Sequence, residues 1–112
     1  MKILNLTPHP IRVVGENGDV TTFPPSGQVL RLIETEILMS VHETSGVRFV
    51  RKAYALPDMS FVQADKTYIV SLILIPYLTG IKGDFIAPDT GPQGAIRDSE
   101  GRIIGVKGFI VP

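Results

Sequence analysis

Residues 11–23 read IRVVGENGDVTTF, and this stretch decides the fold class of the chain. Two short runs rich in β-branched residues, Ile11–Val14 and Val20–Phe23, flank the polar segment 15–19. Asparagine and glycine in that segment supply the positive φ angles that a tight chain reversal requires. The stretch therefore predicts an antiparallel β-hairpin. The same alternation of short apolar runs with glycine and proline continues along the chain.

A second hairpin is predicted where residues 37–42 and 47–55 flank the turn segment 43–46. Basic residues are interleaved with apolar ones in the second of these runs, which indicates a sheet with one face in water. Residues 34–41 also fit a short helix, because three of their apolar residues share a helical face. We favour the strand interpretation.

The most apolar segment, residues 67–71, predicts a strand buried on both faces at the centre of a sheet. Residues 72–78 then fit a short helix, with Ser71 as its N-cap and Gly80 at its end. Pro76 falls inside this predicted helix. Proline has no backbone N–H and is unfavourable in a helix interior, so the helix is the weaker of the two predictions.

The last third predicts a strand at 85–87, a loop at 88–94 and a closing hairpin in which 95–98 and 102–110 pair across 99–101. The chain is thus expected to be one domain over residues 1–112 with a mainly β (α+β) fold. The predicted architecture is an antiparallel β-hairpin meander that forms a small sheet or a partly open barrel, with at most one or two short helices.

The composition excludes several function classes. Lysine plus arginine and aspartate plus glutamate each number 11, so no net charge attracts the chain to long nucleic acid or an anionic membrane. The chain has no cysteine, which excludes disulfides and thiolate chemistry. Pro8 and Pro10 interrupt the apolar N-terminal stretch, and the longest apolar run is about half of the ~20 residues of a membrane span. A cytoplasmic location is therefore expected.

The loop 88–94 and the arginines that follow it form the best candidate ligand site. Its small residues can direct backbone amides toward an anion, and nearby guanidinium groups can pair with a phosphate or carboxylate. The candidate ligand-binding residues are Asp89, Thr90, Gly91, Gly94, Arg97 and Arg102. The alternative is a surface loop in which Arg97 forms an ion pair with Asp98 or Glu100.

Asp89-Thr90-Gly91 also resembles the triplet with which retroviral-type aspartic proteases build paired carboxylates. The resemblance is limited to three residues, and Asp89 as an Asx-turn residue is the favoured interpretation. We predict no catalytic residue and no cofactor. The two histidines, His9 and His42, have no metal-ligand spacing, so no metal site is predicted.

Five segments carry a resemblance to a known family: NLTPH at 5–9, PPSG at 24–27, YIVS at 68–71, PDTGP at 88–92 and RDSEGRIIGV at 97–106. Over nearly its whole length the chain resembles a family of short bacterial and phage proteins. The resemblance implies a phage or prophage origin, with residence in the host cytoplasm, and carries no activity onto particular residues. By analogy, compact phage proteins of this kind act by binding.

The expected function is therefore a non-enzymatic binding protein that sequesters an anionic small molecule or nucleotide signal in an anti-defence role. Two alternatives remain open. One is an interaction protein that blocks a host or virion protein by sheet-edge pairing. The other is a homodimeric aspartyl hydrolase that uses Asp89. A homo-oligomer is expected, because the apolar strand faces exceed what one small domain can cover.

Overall fold

The computed structural model describes residues 2–112, which form ten strands and one 3₁₀-helix. Strand accounts for 41% of the chain and helix for 6%, so the predicted mainly β class is confirmed. In chain order the strands are β1 (Ile3–Asn5), β2 (Ile11–Val14), β3 (Val20–Phe23), β4 (Ile33–Val41), β5 (Arg48–Ala55), β6 (Thr67–Ile69), β7 (Asp84–Pro88), β8 (Ala95–Arg97), β9 (Ile103–Val106) and β10 (Phe109–Ile110). The 3₁₀-helix is Leu72–Leu78 and lies between β6 and β7.

The first sheet has the strand order β1-β6-β7-β10, and β6 lies in its interior. All three residues of β6 are buried, and the strand pairs in parallel with both β1 and β7. A strand with neighbours on both sides and cover on both faces needs a continuous apolar sequence. The predicted central strand is therefore confirmed.

The hydrophobic core lies between this sheet and the 3₁₀-helix. The Tyr68 and Phe85 rings stack with centroids 5.7 Å apart, and the Tyr68 hydroxyl accepts a hydrogen bond from the Gln63 amide at 2.8 Å. Leu74 and Leu78, four residues apart on the helix, are both buried. The buried cluster comprises Leu6, Leu30, Tyr68, Val70, Leu74, Leu78 and Phe85.

The predicted short helix forms over its predicted residues, but as a 3₁₀-helix with Pro76 inside it. Pro76 has no N–H to donate to the preceding turn, which disfavours a regular α-helix here. Ser71 is the N-cap residue, as predicted, with extended backbone (φ -63°, ψ 143°), but its side chain makes no capping hydrogen bond. Gly80 follows the helix with φ of 84°, a left-handed conformation that suits glycine.

The second sheet has the strand order β3-β2-β9-β8 and contains the first hairpin with the bounds predicted from sequence. The Gly15 amide donates to the Asp19 carbonyl at 2.8 Å, and Gly18 has φ of 86°. This turn geometry sets the register of the hairpin, with Ile11 opposite Phe23 and Val14 opposite Val20. Local turn chemistry therefore determines this part of the fold.

Two features depart from a simple antiparallel meander. Three strand pairs are parallel, namely β1 with β6, β6 with β7 and β2 with β9, because strands distant in sequence meet through long connections. The predicted run 102–110 is also divided: β9 pairs with β8, whereas β10 leaves to pair with β7 in the first sheet. The described residues form open sheets and no closed barrel.

Asn5 joins the two sheets at the end of β1. Its side-chain amide donates to the carbonyls of His9 at 2.8 Å and Phe23 at 3.0 Å. Its Oδ1 accepts from both the amide and the hydroxyl of Thr7, at 2.9 and 2.7 Å. Asn5 is only 2% exposed, so its carboxamide is buried while it makes these bonds. The carboxamide thus fixes the end of the second-sheet hairpin against the first sheet.

The third sheet contains only β4 and β5, and we call residues 33–55 the arm. Both strands are exposed along their whole length and pack mainly against each other. The radius of gyration is 17.7 Å and the longest extent is 59 Å. A compact domain of this length has a radius of gyration of about 13 Å, so the arm projects from the body.

The structure of the arm differs from two expectations based on the sequence. The helix alternative for residues 34–41 is wrong, because this segment lies in β4. The hairpin itself is confirmed, but the expectation of one wet face is wrong for the single chain, in which both faces are exposed. Alternation in a sequence shows which side chains share a face and does not show whether another element covers that face.

Candidate functional site

The predicted loop at residues 88–94 is a tight turn held by its own hydrogen bonds. The Asp89 carboxylate accepts from the Gly91 amide at 3.2 Å, as in an Asx turn, and the Asp89 amide donates to the Gly108 carbonyl at 3.0 Å. Gly94 lies against the Asp89 carboxylate, and a Cβ at this position would overlap it. Thr90 is exposed and lines a small cleft of about 180 Å³ together with Arg12 and Pro88.

The two predicted arginines lie at the tip of the β8–β9 hairpin. Arg97 donates from Nη1 to the Gly101 carbonyl at 2.6 Å. Arg102 pairs through Nε with Asp98 at 3.0 Å and through Nη2 with Glu100 at 2.8 Å. Asp98 and Glu100, the two ion-pair partners considered for Arg97, therefore contact Arg102 instead.

Asp98 organises this tip. It accepts hydrogen bonds from the backbone amides of Arg102 at 3.0 Å and Glu100 at 2.9 Å. The Arg102 backbone N–H is the largest cause that holds the pKa of Asp98 below its ordinary value, and the Glu100 N–H and the Arg102 side chain act in the same direction. A carboxylate that accepts several N–H bonds is stabilised in its charged form.

The six predicted site residues thus fall into two groups. Asp89, Thr90, Gly91 and Gly94 precede β8, whereas Arg97 ends β8 and Arg102 follows the turn. Both guanidinium groups are engaged by hydrogen-bond acceptors at the tip. Binding of an anionic ligand by this set stays a prediction.

Family models, curated proteins and solved structures gave no match to this chain. The resemblance to short bacterial and phage proteins therefore also stays a prediction. Among residues 2–112, no helix has the length and apolar character of a membrane span, and no cluster of three or more histidine, aspartate or glutamate residues could hold a metal ion. Function must be argued from the geometry of the chain itself.

The arm contains none of the site residues predicted from the sequence, yet it carries large exposed apolar side chains. Ile33 lies opposite Ala55, Ile37 opposite Arg51 and Ser40 opposite Phe49, with a register shift between Leu38 and Ser40. Because successive side chains of a strand point to opposite faces, one face of the arm is mostly apolar. We call it the apolar face; its members are Ile33, Thr35, Ile37, Met39, Ser40, Phe49, Arg51, Ala53 and Ala55.

The opposite face of the arm, which we call the charged face, carries two cross-strand ion pairs and four exposed apolar side chains, Leu38, Val41, Val50 and Tyr54. Lys52 lies 3.1 Å from Glu34, and Arg48 lies 3.6 Å from Glu36. The hydrogen bond from Lys52 to Glu34 is the main cause that raises the pKa of the lysine. The acidic partner of each pair is on β4 and the basic partner is on β5, so the two strands carry opposite charges.

A mainly apolar groove separates the body from the charged face of the arm. The groove has a volume of about 370 Å³ and is lined by Leu6, Leu30, Ile73 and Leu74 of the body and by Glu34 and Tyr54 of the arm. Ile73 is 72% exposed beside it. Contiguous exposed apolar surface on a small protein marks a place where another surface binds.

Proposed function

We propose that this chain is an interaction protein that self-associates through the apolar face of its arm. The observation that supports this proposal is the exposure of four large side chains on that face. Each remains between 51% and 54% exposed: Ile33, Ile37, Met39 and Phe49. A two-stranded hairpin is marginally stable in water on its own, and a sheet with an apolar face requires a second layer. The arm lacks such a layer within the described part of the chain.

The energy available from covering this face is substantial. Burying the exposed half of each of the four large side chains contributes about 1 kcal/mol, or about 4 kcal/mol per arm. Every arm whose apolar face is covered in an assembly of several copies gains this amount. Such a gain can maintain an ordered hairpin that receives little support from its own body.

A second copy of the chain is the partner that the charges favour. Acidic and basic residues are equal in number over the whole chain, so two copies do not repel each other. Within the arm, the acidic residues Glu34, Glu36 and Glu43 are matched by the basic residues Arg48, Arg51 and Lys52. A neutral arm with separated charges complements itself better than it complements nucleic acid or another strongly charged partner.

The proposal is tested by the solution mass of the full chain, measured by light scattering after size exclusion from micromolar to millimolar concentration. We expect an oligomer for the natural sequence and a monomer for Phe49→Asp, because the introduced carboxylate would be desolvated in the interface. The matched control is Val20→Asp on β3, an exposed strand position outside the arm that is 47% accessible. A monomeric natural protein, or Phe49→Asp oligomers equal to those of the control, would contradict the proposal.

A further inference from the structure

We infer that the arms assemble edge to edge, with β4 of one copy beside β5 of the next, so that the oligomer is a closed ring and not a two-fold dimer. This inference rests on the proposed self-association and adds the geometry by which it occurs. It assigns a second copy of this chain as the binding partner of each open edge of the arm.

Both edges of the arm are available for pairing. β4 and β5 form a two-stranded sheet within the described residues, so each strand has one outer row of backbone N–H and C=O groups without a strand neighbour. Natural edge strands are usually protected by proline, shortness, bulges, charged side chains or cover. The arm has charged side chains and one irregularity, between Leu38 and Ser40, but no proline and no cover within the described residues. Its two strands are nine and eight residues long.

The charges determine which edges fit together. Glu34 and Glu36 lie on the charged face of β4, and Arg48 and Lys52 lie on the same face of β5. When β4 pairs with β5 of the next copy, the carboxylates of one strand lie across from the cations of the other. Opposite charges across a strand pair stabilise it, whereas like charges destabilise it.

Pairing of like edges has the reverse effect. A two-fold axis beside β4 would bring two acidic strands together, and one beside β5 would bring two basic strands together. Because the favoured contact joins two different edges, it is heterologous, and such contacts close into rings when the rotation allows it. All neighbouring strands in this ring run antiparallel, as in the hairpin itself.

Ring closure also accounts for the two faces of the arm. A closed sheet has no free edge, and one face of it becomes an interior filled by side chains. The apolar face would line this interior, and the charged face would form the outer surface with its ion pairs and with Leu38, Val41, Val50 and Tyr54. A single geometry therefore covers the exposed Ile37 and Phe49 and pairs both open edges.

The test uses a full-length charge-swapped variant, Glu34→Lys, Glu36→Lys, Arg48→Glu and Lys52→Glu. The variant keeps the net charge, the cross-strand ion pairs and the apolar face. We expect it to assemble with itself to the same number of subunits as the natural chain. Every junction between a natural and a swapped subunit would place like charges across the edge, so the two proteins should not mix.

The measurement is native mass spectrometry after the two proteins are unfolded together and refolded as an equal mixture. Separate natural and swapped rings support the inference, whereas mixed oligomers in statistical proportion overturn it and leave the proposed self-association standing. Monomers of the natural chain would overturn both. A control with the same numbers of charge reversals outside the arm, Glu16→Lys, Asp65→Lys, Lys82→Glu and Lys107→Glu, should mix freely with the natural chain.

Two half-swapped variants give a second readout. Glu34→Lys with Glu36→Lys makes both strands basic, and Arg48→Glu with Lys52→Glu makes both strands acidic. Each variant also loses the ion pairs within its own arm, so circular dichroism must first show that it folds. A folded variant alone should be monomeric, because all of its possible junctions are repulsive. Mixed together, the two should form rings with equal numbers of each, and failure to form any mixed oligomer would contradict edge pairing.

Discussion

Replacement of Asn5 by alanine is expected to destabilise the whole fold, because this carboxamide connects two sheets. Its four hydrogen bonds, to the His9 and Phe23 carbonyls and from the Thr7 amide and hydroxyl, would be lost. A net contribution of about 1 kcal/mol for each bond gives a loss of about 4 kcal/mol in the free energy of unfolding. Small domains have a total of about 5–15 kcal/mol, so the effect is large.

Urea denaturation followed by far-ultraviolet circular dichroism measures this loss. The matched control is Asn17→Ala in the first turn, where the side chain also makes hydrogen bonds, to Asp19, but is exposed to water. The control should lose no more than about 1 kcal/mol, since water replaces the missing partners. Equal losses for the two variants, or a loss below about 1 kcal/mol for Asn5→Ala, would refute the bridging role.

Three further predictions concern the β8–β9 hairpin and the arm. Gly94→Ala should lower the free energy of unfolding by about 1–3 kcal/mol in urea denaturation, because the added Cβ would overlap Asp89. Unchanged stability would show that the loop can shift to accept the Cβ without cost. Asp98 has a lowered pKa, so its stabilisation of the hairpin tip is present above its unfolded-state pKa and is lost as pH falls through its folded-state pKa. The Arg102 amide resonance should follow this acid titration by NMR, and Asp98→Asn should abolish it; a titration that persists in that variant would assign it to another group. Arg51→Leu should slow subunit dissociation, since it removes a charge from the apolar face; an unchanged dissociation rate would place Arg51 outside the interface.

Local chemistry explains what the sequence predicted well. The first hairpin has the expected bounds, because its turn contains the residues that a reversal requires within a few positions. The central strand β6 was found because a strand buried on both faces must be continuously apolar. The short helix 72–78 was also found, although Pro76 and the missing Ser71 side-chain cap distinguish it from the expected form.

Non-local pairing explains what the sequence could not show. The parallel contact between β2 and β9 joins Val13 to Val106, and nothing near either residue indicates that partner. Likewise, neighbouring acidic residues gave Arg97 two plausible ion-pair partners, but the turn presents both carboxylates to Arg102. The sequence therefore indicated which residues form the candidate site. Which carboxylates pair with which arginine is determined by the folded turn.

The arm shows a different limit of sequence analysis. Its two strands and its turn were predicted, and the alternation of Ile33, Glu34, Thr35, Glu36 and Ile37 is visible in the printed sequence. Placement of the apolar face away from the body is a tertiary property, because it depends on the absence of a packing layer and not on the pattern itself. Only the folded chain shows that this face is uncovered.

Sedimentation equilibrium of the full-length chain, combined with small-angle X-ray scattering on the same samples, tests self-association most directly. We predict a mass of at least two 12.2 kDa chains for the natural sequence and a mass of one chain for Phe49→Asp. A particle of one chain at all concentrations, with the 17.7 Å radius of gyration of the extended monomer, would contradict the proposal that the arm exists to bind another copy.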